Sequence, residues 1–359
     1  MNAHAGNRLI GIQFGRGIAA LLVVFYHATR SLALPQYLGH EPLGNFFGFG
    51  HAGVDFFFVL SGFIISFVHH DDIGRPARLP RFLWRRLTRI FPIYWVILSV
   101  VIVQALLSTE AANRLQVGNL LRGALLLPFP ADLLIGVAWS LEQELLFYAC
   151  FALAVAWRPM ALILTALGVA LMLWSTSLPE QTHWTGYFCT WFHLEFLLGI
   201  LAAKLVRSDA VRMPRTLAAV GAGLFIGSGL CENAGLFGVG ANIGICLYGL
   251  ASTLIVLGLA GAERSGRLAL GNWAELFGGA SYALYLIHPL VIGLGARMLS
   301  KLGWLAFMPP WILMLTLAAA SMVVAIALHR LVEQPMLARA RLLERHLGFE
   351  RRSSLTPNG

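Results

Sequence analysis

Residues 90–109 and 302–328 contain no charged side chain. A helical stretch of about 20 mostly apolar residues matches the hydrocarbon thickness of a bilayer. Ten such stretches are predicted, at 9–30, 46–68, 90–108, 134–157, 159–177, 186–204, 215–231, 240–261, 276–297 and 308–329. The uncharged run 233–262 is too long for one crossing and too short for two, so it reads as one span plus a loop. Residues 119–130 (NLLRGALLLPFP) are apolar but short, as in an interfacial or re-entrant piece. The expected fold class is therefore all-α: a polytopic membrane protein with about ten transmembrane helices.

Composition agrees. The chain is 58% hydrophobic and 12% charged, against about a quarter charged in soluble domains. Its net charge of +9 raises the question of nucleic acid, but the basic residues are spread between the apolar segments rather than gathered on one patch. With the N-terminus inside, 20 of the 26 basic residues fall in inner segments and five in outer ones. By the positive-inside rule both termini are cytoplasmic. Arg16 interrupts the first span, which also lacks a small-residue cleavage site, so that span is not a cleaved signal. Cys150, Cys189, Cys231 and Cys246 show no metal-like spacing, and no metal is expected. Residues 336–359 read as a basic cytoplasmic tail, disordered from about 346.

Ionisable residues within the spans carry the functional information, because charge in hydrocarbon is costly. Arg16 and His27 stand eleven residues apart. Three helical turns plus about 20° put them on one face, roughly 16 Å apart along the axis. An imidazole at that depth serves either as a packing group or as a proton acceptor from a hydroxyl. The second span (GVDFFFVLSGFIIS, 53–66) carries Asp55 and Ser61, with Asp55 open to substrate binding or to pairing with a buried arginine. Arg81, Arg85, Arg86 and Arg89 form a cluster where the third span enters the membrane. Such a cluster anchors anionic lipid or grips phosphates, and spacing alone favours lipid. Glu142 and Glu144 head the fourth span, with Ser140, Glu144 and Tyr148 in one i, i+4, i+8 row. A buried carboxyl there could orient a histidine. Glu195 is a further intramembrane carboxyl, the ninth span holds Tyr282, Tyr285 and His288, and Glu333 stands where it could neutralise an arginine.

Taken in order, seven segments give the chain a resemblance to the acyltransferase-3 family of membrane O-acyltransferases, in particular its bacterial exopolysaccharide-modifying branch. They are Arg16-x10-His27, GVDFFFVLSGFIIS, RRLTRIFPIYW (85–95), AWSLEQELLFY (138–148), EFLLGILAAK (195–204), SYALYLIHPL (281–290) and Glu333-x-Pro335. They span nearly the whole chain, and residues 1–335 form the acyltransferase-like domain.

The resemblance implies transfer of an acyl group, usually acetyl, from cytoplasmic acyl-CoA to a hydroxyl of a saccharide or glycolipid acceptor, in the inner cell membrane. It makes His27 the catalytic residue, with Glu144 as its carboxylate. Arg16, Arg85, Arg86 and Arg89 would hold the CoA donor. Asp55, Ser61, Trp139 and Tyr285 are the expected substrate-binding side chains, and polysaccharide-assembly proteins the expected partners. Two departures stand out. His288 meets Pro289 directly, without the family's intervening residue, so no direct role for His288 is implied. The periplasmic esterase-like domain of some members is also missing, so the transfer would be completed here or by a separate partner. The main rival is a secondary transporter, which also places ionisable groups in mid-membrane.

Overall fold

In a computed structural model, residues 9–107, 111–178, 182–268 and 270–348 are described. Arg8 and residues 349–359 of the expected tail lie outside them. The described chain is helical, without strands. The helices run α1 (Ile10–Leu32), α2 (Gly53–His69), α3 (Leu79–Leu106), α4 (Ala111–Arg114), α5 (Val117–Leu125), α6 (Trp139–Ala156), α7 (Met160–Ser175), α8 (His183–Phe188), α9 (Phe192–Arg207), α10 (Pro214–Asn233), α11 (Asn242–Arg264), α12 (Asn272–Gly279), α13 (Ser281–Lys301), α14 (Pro310–Leu328) and α15 (Gln334–His346).

A helix stands at each of the ten expected positions. Among the described residues, eight helical stretches are long and apolar enough to cross a membrane. The other two positions are filled by α6, which carries two glutamates, and by α7, only 16 residues long. The chain is therefore a polytopic integral membrane protein. Residues 119–130, expected as an interfacial or re-entrant piece, lie partly in α5, nine residues long. It is held by the Tyr94 hydroxyl, which donates to Gly123 O at 2.6 Å, and the Trp95 indole, which donates to Ala124 O at 2.9 Å. Residues 336–346, expected as the start of a tail, belong to helix α15, which follows a π-helical turn over His329–Glu333.

Two compact units make up the chain: residues 1–67 with 194–326, and residues 68–193 with 327–359. In the first, α1, α2, α9 and α11 share an apolar core that includes Ile12, Phe56, Phe63, Val206 and Val256. A second cluster gathers Phe49, Phe225 and Tyr248. In lipid, helices associate through close packing rather than through release of water, and small residues permit it. The α2–α9 contact uses two of them reciprocally. A Cβ on Gly62 would lie 2.1 Å from Phe196 O, and one on Gly199 would lie 2.0 Å from Val59 O. In the second unit, α3 packs against α6 and α15, and α6 against α7.

Because Gly199 faces backbone rather than a side chain that could swing away, Gly199→Val should force α2 and α9 apart. The expected cost is about 3 kcal/mol or more, read as a lowered unfolding midpoint of the purified protein in detergent, with Gly199→Ala intermediate.

Candidate functional site

The first unit carries two imidazoles side by side. His27, on α1, lies beside His288 of α13, with ring centroids 4.8 Å apart and the rings edge to face. Each ring is anchored to its own helix. His27 Nδ1 lies 2.9 Å from Val23 O, and His288 Nδ1 lies 3.1 Å from Leu284 O. A carbonyl only accepts, so in both rings Nδ1 carries the hydrogen and Nε2 keeps its lone pair when the ring is neutral. Nε2 of the fully buried His288 has no hydrogen-bond partner among the described residues. Tyr285, one turn back, is 5% exposed and turns its ring toward both Phe57 and His288. The family pattern gave no direct role to His288; the fold nevertheless places it against His27.

The same unit holds a third imidazole and several buried carboxyls. His51, in the 3-10 turn before α2, stacks edge-on against Tyr26 at 5.5 Å, and Tyr26 in turn lies 5.0 Å from His27. His51 Nε2 is 2.7 Å from Glu232 Oε1, and the Tyr248 hydroxyl donates to Glu232 Oε2 at 2.6 Å. Asp55 and Glu195 are both buried, and each carboxyl lies within electrostatic reach of the other. Glu195 packs against Gly249, where a Cβ would come within 2.9 Å of its Cγ. Arg16 donates to Gln13 Oε1 at 3.1 Å. Ser61 is half-buried on α2.

Sequence reasoning passed over His51, Glu232 and Tyr248. The one local signal was the i, i+4 spacing of His51 and Asp55. Glu232 and Tyr248 are brought to His51 by the packing of α10 and α11, for which a single sequence gives no register.

The second unit carries the arginines. Arg81 and Arg85 both bind Glu344, with Arg85 Nε at 2.9 Å from Oε1. Arg89 pairs with Glu333, whose other oxygen lies 2.8 Å from His329 Nδ1. Much of the charge at Arg85 and Arg89, both expected to hold the donor, is thus taken up by carboxylates of the C-terminal segment. Arg86 differs. Its guanidinium lies over the rings of Tyr148 (5.6 Å) and Phe82 (5.9 Å), and its buried Nε has no partner among the described residues. The Tyr148 hydroxyl donates to Glu144 Oε1 at 2.6 Å. Glu144 therefore belongs to the neighbourhood of Tyr148 and Arg86. Trp139, 36% exposed, lies against Phe192, with centroids 5.4 Å apart.

Glu142 has a structural partner. It is 1% exposed and takes a bidentate pair from Arg122, at 2.7 Å and 2.8 Å. Removing one member of a buried pair leaves an uncompensated charge, whereas replacing both by apolar groups often costs little. Arg122→Met should therefore destabilise the protein by roughly 3–5 kcal/mol, and Arg122→Met with Glu142→Leu should recover most of the loss. Unfolding midpoints of the three proteins in one detergent check this.

With the geometry in place, comparison with known proteins is informative. The acyltransferase domain family matches residues 9–330. The chain is 27% identical to the exopolysaccharide production protein ExoZ of Rhizobium meliloti over 314 residues, covering 84% of this chain and 94% of ExoZ. It is 26% identical to the acyltransferase MdmB of Streptomyces mycarofaciens over 388 aligned positions, covering 91% of each. A shorter match, 27% identical over 173 residues, covers 42% of this chain and 85% of protein 2 in the picA locus of Rhizobium radiobacter. No solved structure matches.

Proposed function

The chain belongs to the acyltransferase-3 family, and from that premise we propose that it is an inner-membrane O-acyltransferase using acyl-CoA, with acetyl the expected acyl group. The acceptor is a hydroxyl of a cell-surface saccharide or of its lipid-linked precursor. The likeness to ExoZ, an exopolysaccharide production protein, and to MdmB, an acyltransferase, supports this reading. The observation that carries it is His27: an intramembrane imidazole fixed through Nδ1, with the Nε2 lone pair left for a proton and a second imidazole beside it.

In the proposed reaction His27 Nε2 takes the proton of the acceptor hydroxyl as that oxygen attacks the thioester carbonyl carbon. The C–O bond forms, the C–S bond breaks, and the imidazolium returns the proton to the departing thiolate. An O-acyl ester and free CoA result. His288 holds the His27 ring against rotation. On this reading Arg86, stacked on Tyr148 and Phe82, is the main ligand for the donor's phosphates. Glu144 fixes Tyr148 and so the platform beneath Arg86. Arg85 and Arg89 chiefly pin the C-terminal helical segment to α3. Arg16 is kept as a donor ligand on the first unit, and Asp55, Ser61, Trp139 and Tyr285 as substrate contacts.

General-base assistance contributes about 10²–10⁴-fold. His27→Ala should lower acyl transfer by roughly that factor while the unfolding midpoint stays near wild type, measured as ester content of the acceptor and as release of free CoA. Undiminished transfer removes His27 from the mechanism. Absence of acyl-CoA-dependent CoA release from the wild-type protein, given acceptor, favours the transporter reading.

If Arg86 grips the donor, Arg86→Ala should raise KM for acyl-CoA by about tenfold or more, in line with the loss of one charged hydrogen bond. Arg89→Ala should act mainly on stability. Initial rates against donor concentration distinguish the two.

A further inference from the structure

A pocket of about 260 Å³ opens in the first unit at the Leu32 end of α1. Its walls include Arg30, Asn45, Gly48, Glu232, Asn233 and Phe237. By the distribution of basic residues this end of the unit faces outward, away from the cytoplasm.

The pocket is built rather than incidental. Leu43, Gly44 and Asn45 adopt left-handed backbone in succession, with φ of 56°, 57° and 64°. Glycine and asparagine visit that conformation readily, whereas Leu43 holds it at a cost, and such strain gathers where a loop has to present a particular group. Here it presents Asn45, whose Oδ1 is buried and has no hydrogen-bond partner among the described residues. Asn233 is fixed by its Nδ2, which donates to Asn45 O at 3.1 Å and to Phe46 O at 3.2 Å. The two amide oxygens converge over Gly48, where a Cβ would lie 2.4 Å from Asn45 Oδ1 and 2.6 Å from Asn233 Oδ1.

The chemistry of the walls selects a ligand class. Arg30 is paired with Glu41 and lies over the Tyr26 ring, and the carboxylate of Glu232 is also in the wall. That balance is unfavourable for a phosphate. The volume falls below the roughly 300–1,000 Å³ of ordinary small-molecule sites, too small for a CoA. Amide oxygens, a carboxylate, a guanidinium and one aromatic face suit a compact neutral polyol. The wall also leads to the reacting centre, since Glu232 holds His51, His51 lies on Tyr26, and Tyr26 lies on His27.

We infer that this pocket is the acceptor subsite, taking one sugar unit of the saccharide from the outward end of the unit. The inference rests on the O-acyltransferase reading above. Asn45 and Asn233 bind sugar hydroxyls, and Glu232 positions His51 beside the acceptor.

The test uses the full-length protein in membranes, with radiolabelled acetyl-CoA as donor and the surface polysaccharide of the producing strain as acceptor. Two variants block the pocket in different ways: Gly48→Val at its wall, and the double variant Asn45→Leu, Val239→Trp. Val239 is 58% exposed at the rim, so the tryptophan demands no repacking of the core. Expected are a fall in transfer to polysaccharide of about tenfold or more and a raised acceptor KM, with acetyl-CoA affinity within about twofold of wild type. Wild-type transfer by the double variant overturns the acceptor subsite. So does loss of acetyl-CoA binding in step with transfer, because the pocket would not then be separate from the donor site. If the wild-type protein transfers no acetyl group while binding acetyl-CoA, the O-acyltransferase reading itself fails, and this outcome is distinguishable from the other two.

Discussion

An ionisable group placed in a membrane helix has to find its partner inside the protein, because lipid offers none, and this requirement orders most of what is seen here. Glu142 is met by Arg122, Glu333 by Arg89 and His329, and Glu232 by His51 and Tyr248. Each of these sets joins different helical segments, 20 residues apart for Arg122 and Glu142 and more than 180 for Arg89 and Glu333 and for His51 and Glu232, so the polar groups help fix which helices are neighbours while the apolar side chains fill the space between. Among the groups that stand out against this background are His288 Nε2, Arg86 Nε and Asn45 Oδ1, buried polar atoms that lack a hydrogen-bond partner among the described residues. In a fold where pairing is the rule, such atoms are where an incoming substrate has something to gain.

Much of the architecture was legible from the sequence because it follows from length and apolarity alone. A helix stands at each of the ten expected positions, although the expected span 186–204 is divided between α8 and α9 and the span 276–297 between α12 and α13. The third span was expected from residue 90, yet α3 begins at Leu79, since its arginine-rich first turns are helical too. Apolarity marks where a helix enters lipid, not where it starts. The reverse holds at the C-terminus. Charge made residues 336–346 read as tail, yet α15 holds its place because Glu344 takes Arg81 and Arg85.

The candidate site was legible only as far as single helices reach. The face shared by Arg16 and His27 follows from helical geometry, but the neighbours of His27 do not. Nothing in the local sequence of SYALYLIHPL says that its histidine meets α1, and the departure at His288–Pro289 argued against a role. Tertiary packing nevertheless lays its ring against that of His27. The arginine cluster shows the same limit from the other side. Spacing allowed Arg85, Arg86 and Arg89 to act alike, whereas the fold gives two of them carboxylate partners and lays the third across aromatic rings. Residues that look equivalent along a helix become distinct once the facing helices are known.

This distinction bears on how one helix can serve both substrates. Helix α1 carries Arg16 near its N-terminal end, His27 toward the other, and Arg30 in the wall of the pocket at that other end. The Arg16–His27 separation of about 16 Å along the axis is one an extended pantetheine arm can bridge, while His27 and the pocket are joined by two ring contacts and one hydrogen bond. On the proposed reading, a charged, water-soluble donor and a neutral polyol would approach a single imidazole from opposite ends of the helix. Neither has to pass the other, and neither has to cross the hydrocarbon. That geometry favours transfer at a fixed imidazole over carriage of a whole substrate through the bundle. Glu232 fits that reading as well: held by His51 and Tyr248, it stands in the pocket wall as a fixed acceptor for hydrogen bonds.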